Sequence, residues 1–276
     1  MAETLDVSTA VPGVQVRDVW PLVPIVALLG GAWAAQSADL TAVAAALALL
    51  LGGWRPFWRV LTRTDWATPL ARWRHWERKL ALPRWPYLQP ETPGAALHHT
   101  LEQARSWWHE VGREPLALPL RRAALALVVS LLMGIVGGRY ALLLTLCLVS
   151  LAEIAALWHA GRGRVGIGWQ AAAGVGLPWL LGASLGGSPS LRQALAALTL
   201  TVFVALFAAP KPWAVGGPLV GALFLISLGH FSVAGMLVLL TLPGLHLLFH
   251  RPPPAVYRRA VAPWILAALM LVAAAL

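Results

Sequence analysis

Tyr140 to His159 reads YALLLTLCLVSLAEIAALWH, with a single carboxylate, Glu153, and neither lysine nor arginine. As a helix rising about 1.5 Å per residue, this stretch would extend about 30 Å, the thickness of the hydrocarbon layer of a bilayer. A surface helix of a soluble protein carries a polar stripe. This one is apolar on every side, so its solvent is lipid.

Further stretches of the same kind lie outward from it, bounded by charge, proline or glycine clusters. Val19–Ala35, Leu40–Phe57 and Leu120–Val136 precede it; Val165–Leu185, Leu191–Ala209, Trp213–Leu228, Phe231–Phe249 and Ala260–Leu276 follow. With 59% of the 276 residues hydrophobic and 12% charged, a soluble core could not cover the apolar surface. The expectation is an all-α integral membrane protein of nine transmembrane helices. It has a polar segment over residues 1–18 and one membrane domain over 19–276. Residues 1–18 carry Glu3, Asp6, Arg17 and Asp18 without a basic start or short apolar run, so no cleaved leader is expected. The lone Cys147 can form no intrachain disulfide and reads as a small buried apolar residue.

A formal charge of +10 suggests nucleic acid in a soluble chain; here the cations must first be placed relative to the bilayer. With the amino terminus cytoplasmic, all of the 21 basic residues except Arg139 and Arg192 fall on the cytoplasmic side. That asymmetry supports nine spans with the carboxyl terminus outside; a bacterial inner (plasma) membrane is the expected location, and no nucleic-acid partner is expected.

Residues 54–119 form a cytoplasmic or interfacial insert rich in tryptophan and arginine. Trp54, Trp58, Trp66, Trp73, Trp76, Trp85, Trp107 and Trp108 alternate with Arg55, Arg59, Arg72, Arg74, Arg78, Lys79 and Arg84. Amphipathic rings suit the headgroup layer and cations suit lipid phosphates, so these tryptophans are expected to anchor at the interface or dock a partner. After Pro83, Pro86, Pro90 and Pro93, residues 95–113 read as an amphipathic helix with Leu97, Leu101, Ala104, Trp108 and Val111 on the packed side.

Glu153 places a carboxylate inside a span, away from its ends, where an ionisable group is costly enough to suggest function. Packing alone, with Gln170, Arg162 or Arg164 as partner, is the competing explanation. The eight histidines could ligate iron or a chlorophyll magnesium. Their spacing argues against it: His98 and His99 are adjacent, and His246 and His250 stand beside Arg251. No P-loop occurs, which excludes the usual nucleoside-triphosphatase signature.

This layout, with a long cytoplasmic segment after the second span and shorter ones after the fourth, sixth and eighth, resembles the UbiA-type intramembrane prenyltransferases. The likeness is best from Leu151 to Gly217, where Ala156–Arg164 matches the family's fourth loop and Leu177–Ala183 its fifth-span Pro/Gly pattern. The resemblance implies a UbiA-like bundle and two Asp-rich motifs holding magnesium against a prenyl diphosphate. At the first position, Trp54 to Arg74, only Asp65 is acidic; at the second, Ala209 to Gly217, no residue is. Magnesium needs oxygen ligands, so magnesium is not expected here and the family's reaction lacks its electrophile. Arg55, Arg59, Arg63 and Lys211 can still hold an anionic headgroup without metal.

The resulting expectation is a non-catalytic, UbiA-like subunit of a photosynthetic or respiratory membrane complex. It would hold a lipid, quinone, carotenoid or chlorophyll tail and contact membrane lipids and other membrane subunits. Glu153, His159, Arg162, Arg164, Lys211 and Asp65 are the residues expected to face the ligand. Two alternatives stand beside it: an active prenyltransferase using Asp65, and a small transporter with Glu153 on its pathway.

Overall fold

The computed structural model describes residues 19–37, 39–73, 76–81, 83, 92–158 and 165–276. Among these every regular element is helical. In chain order they are α1 (Val23–Ala34), α2 (Leu40–Arg63), α3 (Ala67–Trp73), α4 (Pro93–Val136), α5 (Arg139–Trp158), α6 (Ile167–Ala171), α7 (Leu177–Ala183), α8 (Leu191–Phe207), α9 (Gly216–Ser227), α10 (Phe231–His246) and α11 (Pro254–Ala275). Five helices among the described residues are long and apolar enough to cross a membrane: α2, α4, α5, the helix Phe231–His250 that contains α10, and α11. Trp20–Ala34, Leu191–Phe207 and Pro212–Ser227 are apolar but shorter. The chain is therefore an all-helical protein of integral-membrane character.

Two boundaries differ from the sequence reading. The second apolar stretch does not stop at Phe57: α2 runs on to Arg63 through a π-helical stretch, Leu49–Trp54, that contains Gly52 and Gly53. The amphipathic helix expected over 95–113 is not separate from the span that follows. Both belong to α4, which passes through a second π-helical stretch, Trp108–Gly112, and carries Pro119 inside. A π bulge is one of the ways a helix bends without ending, so the prolines of this stretch do not terminate it.

The contacts divide the chain into two compact units. One comprises Leu40–Ala173, and the other the described part of Met1–Asp39 with Gly174–Leu276. In the first, α2, α4 and α5 pack together. A Cβ added at Gly53 would lie 2.5 Å from Ser130 Oγ, and one at Gly134 would lie 3.0 Å from Thr145 Oγ1, so small residues set both helix approaches. Phe57, Ala126 and Ala152 form a core where the three helices meet. Buried Trp54 reaches across to α5, its Nε1 donating to Thr145 Oγ1 at 3.0 Å. A two-residue turn joins α4 to α5, with Gly138 at φ +89°, a conformation that only glycine adopts freely.

The other unit is built on a still closer crossing. A Cβ at Gly182 of α7 would stand 2.7 Å from the backbone nitrogen of Ala32 in α1, and one at Gly31 would collide with the Trp179 carbonyl. α11 packs on α1, while α8, α9 and α10 follow one another as neighbours. Phe203 and Phe207 stack at 5.5 Å, and Tyr257 of α11 donates to the Phe207 carbonyl at 3.0 Å. That bond gives the buried hydroxyl a partner where lipid could offer none.

Candidate functional site

Four arginines converge on one groove in the Leu40–Ala173 unit. α2 carries Arg55, Arg59 and Arg63 at i, i+4 and i+8, one side of a helix about 12 Å long from first to last Cα. α4 runs beside it in the opposite sense, pairing Gly53 with Ser130 and Phe57 with Ala126. That register brings Arg122 opposite the last turn of α2. Between them lies an open groove of about 880 Å³ lined by all four guanidinium-bearing side chains.

The groove has two kinds of lining besides the arginines. Leu51, Val60, Leu125, Ala126 and Val129 supply apolar wall, and Leu125 is 67% exposed, so the wall opens outward. Thr64 and Pro119 stand with Arg63 and Arg122 at one end. The bulge at Leu49–Trp54 lies at the opposite end: its residues Leu51 and Gly52 line the groove, while a Cβ at Gly52 would meet nothing within 4 Å. No aspartate or glutamate lines the groove, and none forms a salt bridge with these four arginines among the described residues. Like charges at i, i+4 cost a helix a few tenths of a kcal/mol per pair. An anion in the groove relieves that repulsion and accepts several charge-assisted hydrogen bonds.

Of the sequence-predicted ligand residues, Asp65, Lys211 and Glu153 are among the described residues, and none of these three lines the groove. Asp65 follows the groove's Thr64 in sequence, and its Oδ1 accepts a hydrogen bond from the Thr68 amide at 3.1 Å at the start of α3. Lys211 belongs to the other compact unit, where its ammonium sits 4.5 Å from the centre of the Trp213 ring. Glu153 is exposed on α5 between Ser150 and Leu157, on a side that includes Leu143, Leu146 and Ile154. Gln170 is not its partner, because its Nε2 donates to the Val165 carbonyl at 2.9 Å. His159, Arg162 and Arg164 lie outside the described residues, as does Trp85. Among the described residues, no cluster of three histidine, cysteine or acidic side chains could hold a metal ion.

The tryptophans divide into different environments. Trp54, expected at the interface, is instead 1% exposed and belongs to the helix core, since its indole N–H finds a hydroxyl one helix away. Trp58 packs partly buried against the Phe57 core, and Trp66 donates to the Leu61 carbonyl. Trp73 meets Trp107 edge-on at 5.8 Å, Trp107 donates to the Pro69 carbonyl, and the Trp107 and Trp108 rings lie 6.4 Å apart.

Residues 76–81 then run along the polar side of α4. Trp76 Nε1 donates to Ser106 Oγ at 3.3 Å, Gln103 Nε2 donates to the Trp76 carbonyl, and Arg78 meets Glu110 at 2.7 Å. This strap covers the polar side of the amphipathic helix: His98 and Ser106 are buried, Ala104, Trp108 and Val111 are half-buried, and Leu97 and Leu101 are exposed. Polar partners from residues 76–81 satisfy the polar side, which leaves Leu97 and Leu101 outward. Cys147 also faces outward rather than into a core.

Arg122 is the groove residue that the sequence reading did not single out. The signal available was Arg121–Arg122 at the head of an apolar stretch, which reads equally as an ordinary flank of a membrane span. No family model, no curated protein and no solved structure matches this chain.

Proposed function

We propose that this chain is a non-catalytic integral membrane subunit that holds an anionic lipid in the groove between α2 and α4, within a larger membrane complex. The observation that carries this reading is that Arg55, Arg59, Arg63 and Arg122 line one groove together with an apolar wall. Guanidinium forks match phosphate oxygens in pairs, and leucine and valine match a tail. Basic pockets between membrane helices are a recurrent form of headgroup site.

In this reading the chain crosses the membrane nine times with its amino terminus in the cytoplasm, as a relative of the UbiA-type bundle without the Asp-rich motifs. The arginine end of the groove then lies at the cytoplasmic surface. The photosynthetic or respiratory setting follows from the same resemblance. An assembly partner is supported by Glu153: a carboxylate exposed on a helix apolar enough to cross a membrane is costly in hydrocarbon, and a neighbouring subunit would relieve that cost.

Gentle detergent extraction of native membranes, native electrophoresis and identification of every protein, lipid and pigment comigrating with the chain tests the reading. Migration within a larger assembly with lipid attached is the expected result. Glu153→Gln should release the chain from that assembly without changing its own thermal unfolding. A chain that always migrates alone would overturn the subunit reading.

A further inference from the structure

We infer that the lipid seated in the α2–α4 groove carries two phosphates, a diphosphatidylglycerol-type phospholipid rather than a lipid with one phosphodiester. The inference rests on the anionic-lipid reading above and narrows it. Its basis is the number and distribution of the cations, which exceed what one phosphate can engage.

Arg55 and Arg63 are two helical turns apart, so their Cα atoms are separated by about 12 Å. Arg59 stands between them, and Arg122 faces this row from α4. A single phosphodiester carries one negative charge and accepts a bidentate fork from one or two guanidiniums. Seated near Arg63 and Arg122, it leaves half-buried Arg55, about 12 Å along the row, without an anion. Seated near Arg55, it leaves Arg63 and Arg122 without one. Two phosphates joined by a glycerol bridge satisfy both ends of the row, with Arg59 shared between them.

The hydrocarbon side agrees. The wall is contributed by both helices, with Leu51 from α2 and Leu125 and Val129 from α4. It opens laterally at Leu125, which is 67% exposed, so several acyl chains can leave the groove into surrounding lipid without being enclosed. A prenyl diphosphate places two phosphates directly against each other with more charge at one point. Such a headgroup concentrates charge where the groove distributes its cations.

Native mass spectrometry of the full chain in mild detergent would test this, using tetraoleoyl cardiolipin, dioleoylphosphatidylglycerol, dioleoylphosphatidylcholine and geranylgeranyl diphosphate as separate probes at matched phosphate. Cardiolipin should bind at least tenfold more tightly than phosphatidylglycerol, the two phosphates being held as one ligand. Each arginine contributes about 1 kcal/mol, so Arg55→Gln and Arg122→Gln should each weaken cardiolipin binding about fivefold. Arg192→Gln, outside the groove, should leave it unchanged. Arg55→Lys and Arg122→Lys, which keep the charge and the fold, should fall between, because lysine lacks the planar fork.

Equal binding of cardiolipin and phosphatidylglycerol, both weakened by the arginine variants, would overturn the two-phosphate inference while leaving the anionic-lipid groove standing. Preference for geranylgeranyl diphosphate would overturn it in favour of a prenyl ligand. Binding of all four probes at the level of phosphatidylcholine, indifferent to the arginine variants, would remove both the inference and the reading beneath it.

Discussion

Two buried threonines show how residues of the same type contribute differently. Thr145 donates to the carbonyl of Ala141 in its own helix and also accepts from Trp54 of α2, whereas among the described residues buried Thr241 bonds only within its own helix, to Leu237 and Val238. Thr145→Val preserves shape but leaves a buried indole N–H without its acceptor. It should lower stability by about 1 kcal/mol, the scale of an interhelical hydrogen bond in membrane proteins. Thr241→Val should be nearly neutral. Denaturation in mixed micelles, followed by tryptophan fluorescence, separates the two; equal costs would show that the Trp54 bond contributes nothing. The interfacial role expected of Trp54 was a reasonable inference from its neighbours Arg55 and Trp58. The sequence offers no sign of Thr145, because the two partners are 91 positions apart.

Glycines distinguish helix surfaces that touch from those that do not. At Gly53 a Cβ would press on Ser130, while at adjacent Gly52 it would meet open space in the groove. Gly53→Leu should therefore cost about 1–3 kcal/mol by forcing α2 and α4 apart. Gly52→Ala should stabilise by about 0.5–1 kcal/mol through helix propensity alone. The same contrast holds for Gly182, whose Cβ would run into α1, and Gly235, whose Cβ is unobstructed. Gly182→Ala should unfold the chain at markedly lower temperature and Gly235→Ala should not, as scanning calorimetry in detergent would measure. The sequence marks all four as small residues in apolar stretches; which of them touch is a property of helix rotation, and apolarity on every side leaves that rotation unspecified. At Leu97 and Leu101 the pattern was amphipathic, yet hydrogen bonds from residues 76–81 to the polar side decided which side faces inward.

At the scale of the whole chain, the reading of nine crossings makes a topological prediction. Single cysteines placed at Arg63 and Lys211 in a Cys147→Ser background should be labelled by impermeant maleimide only after cells are opened, and those at Arg139 and Arg192 in intact cells. Arg139 and Lys211 labelled from the same side would overturn that topology. By itself, the sequence determined that the chain is helical and belongs to a membrane, because hydropathy over about 20 residues is a local property that no packing partner can reverse. It also showed where charge accumulates, including the Arg55–Arg59–Arg63 row at one-turn spacing. Tertiary structure alone decided that α2 continues past Phe57, that α4 joins an amphipathic segment to a span, and that Arg122 completes the groove. Those outcomes depend on which helix lies against which, and in lipid that choice is made by small-residue contacts and hydrogen bonds between residues far apart in the chain. Hydrophobic pattern carries almost no record of them, since lipid and a neighbouring helix are nearly the same solvent to a leucine.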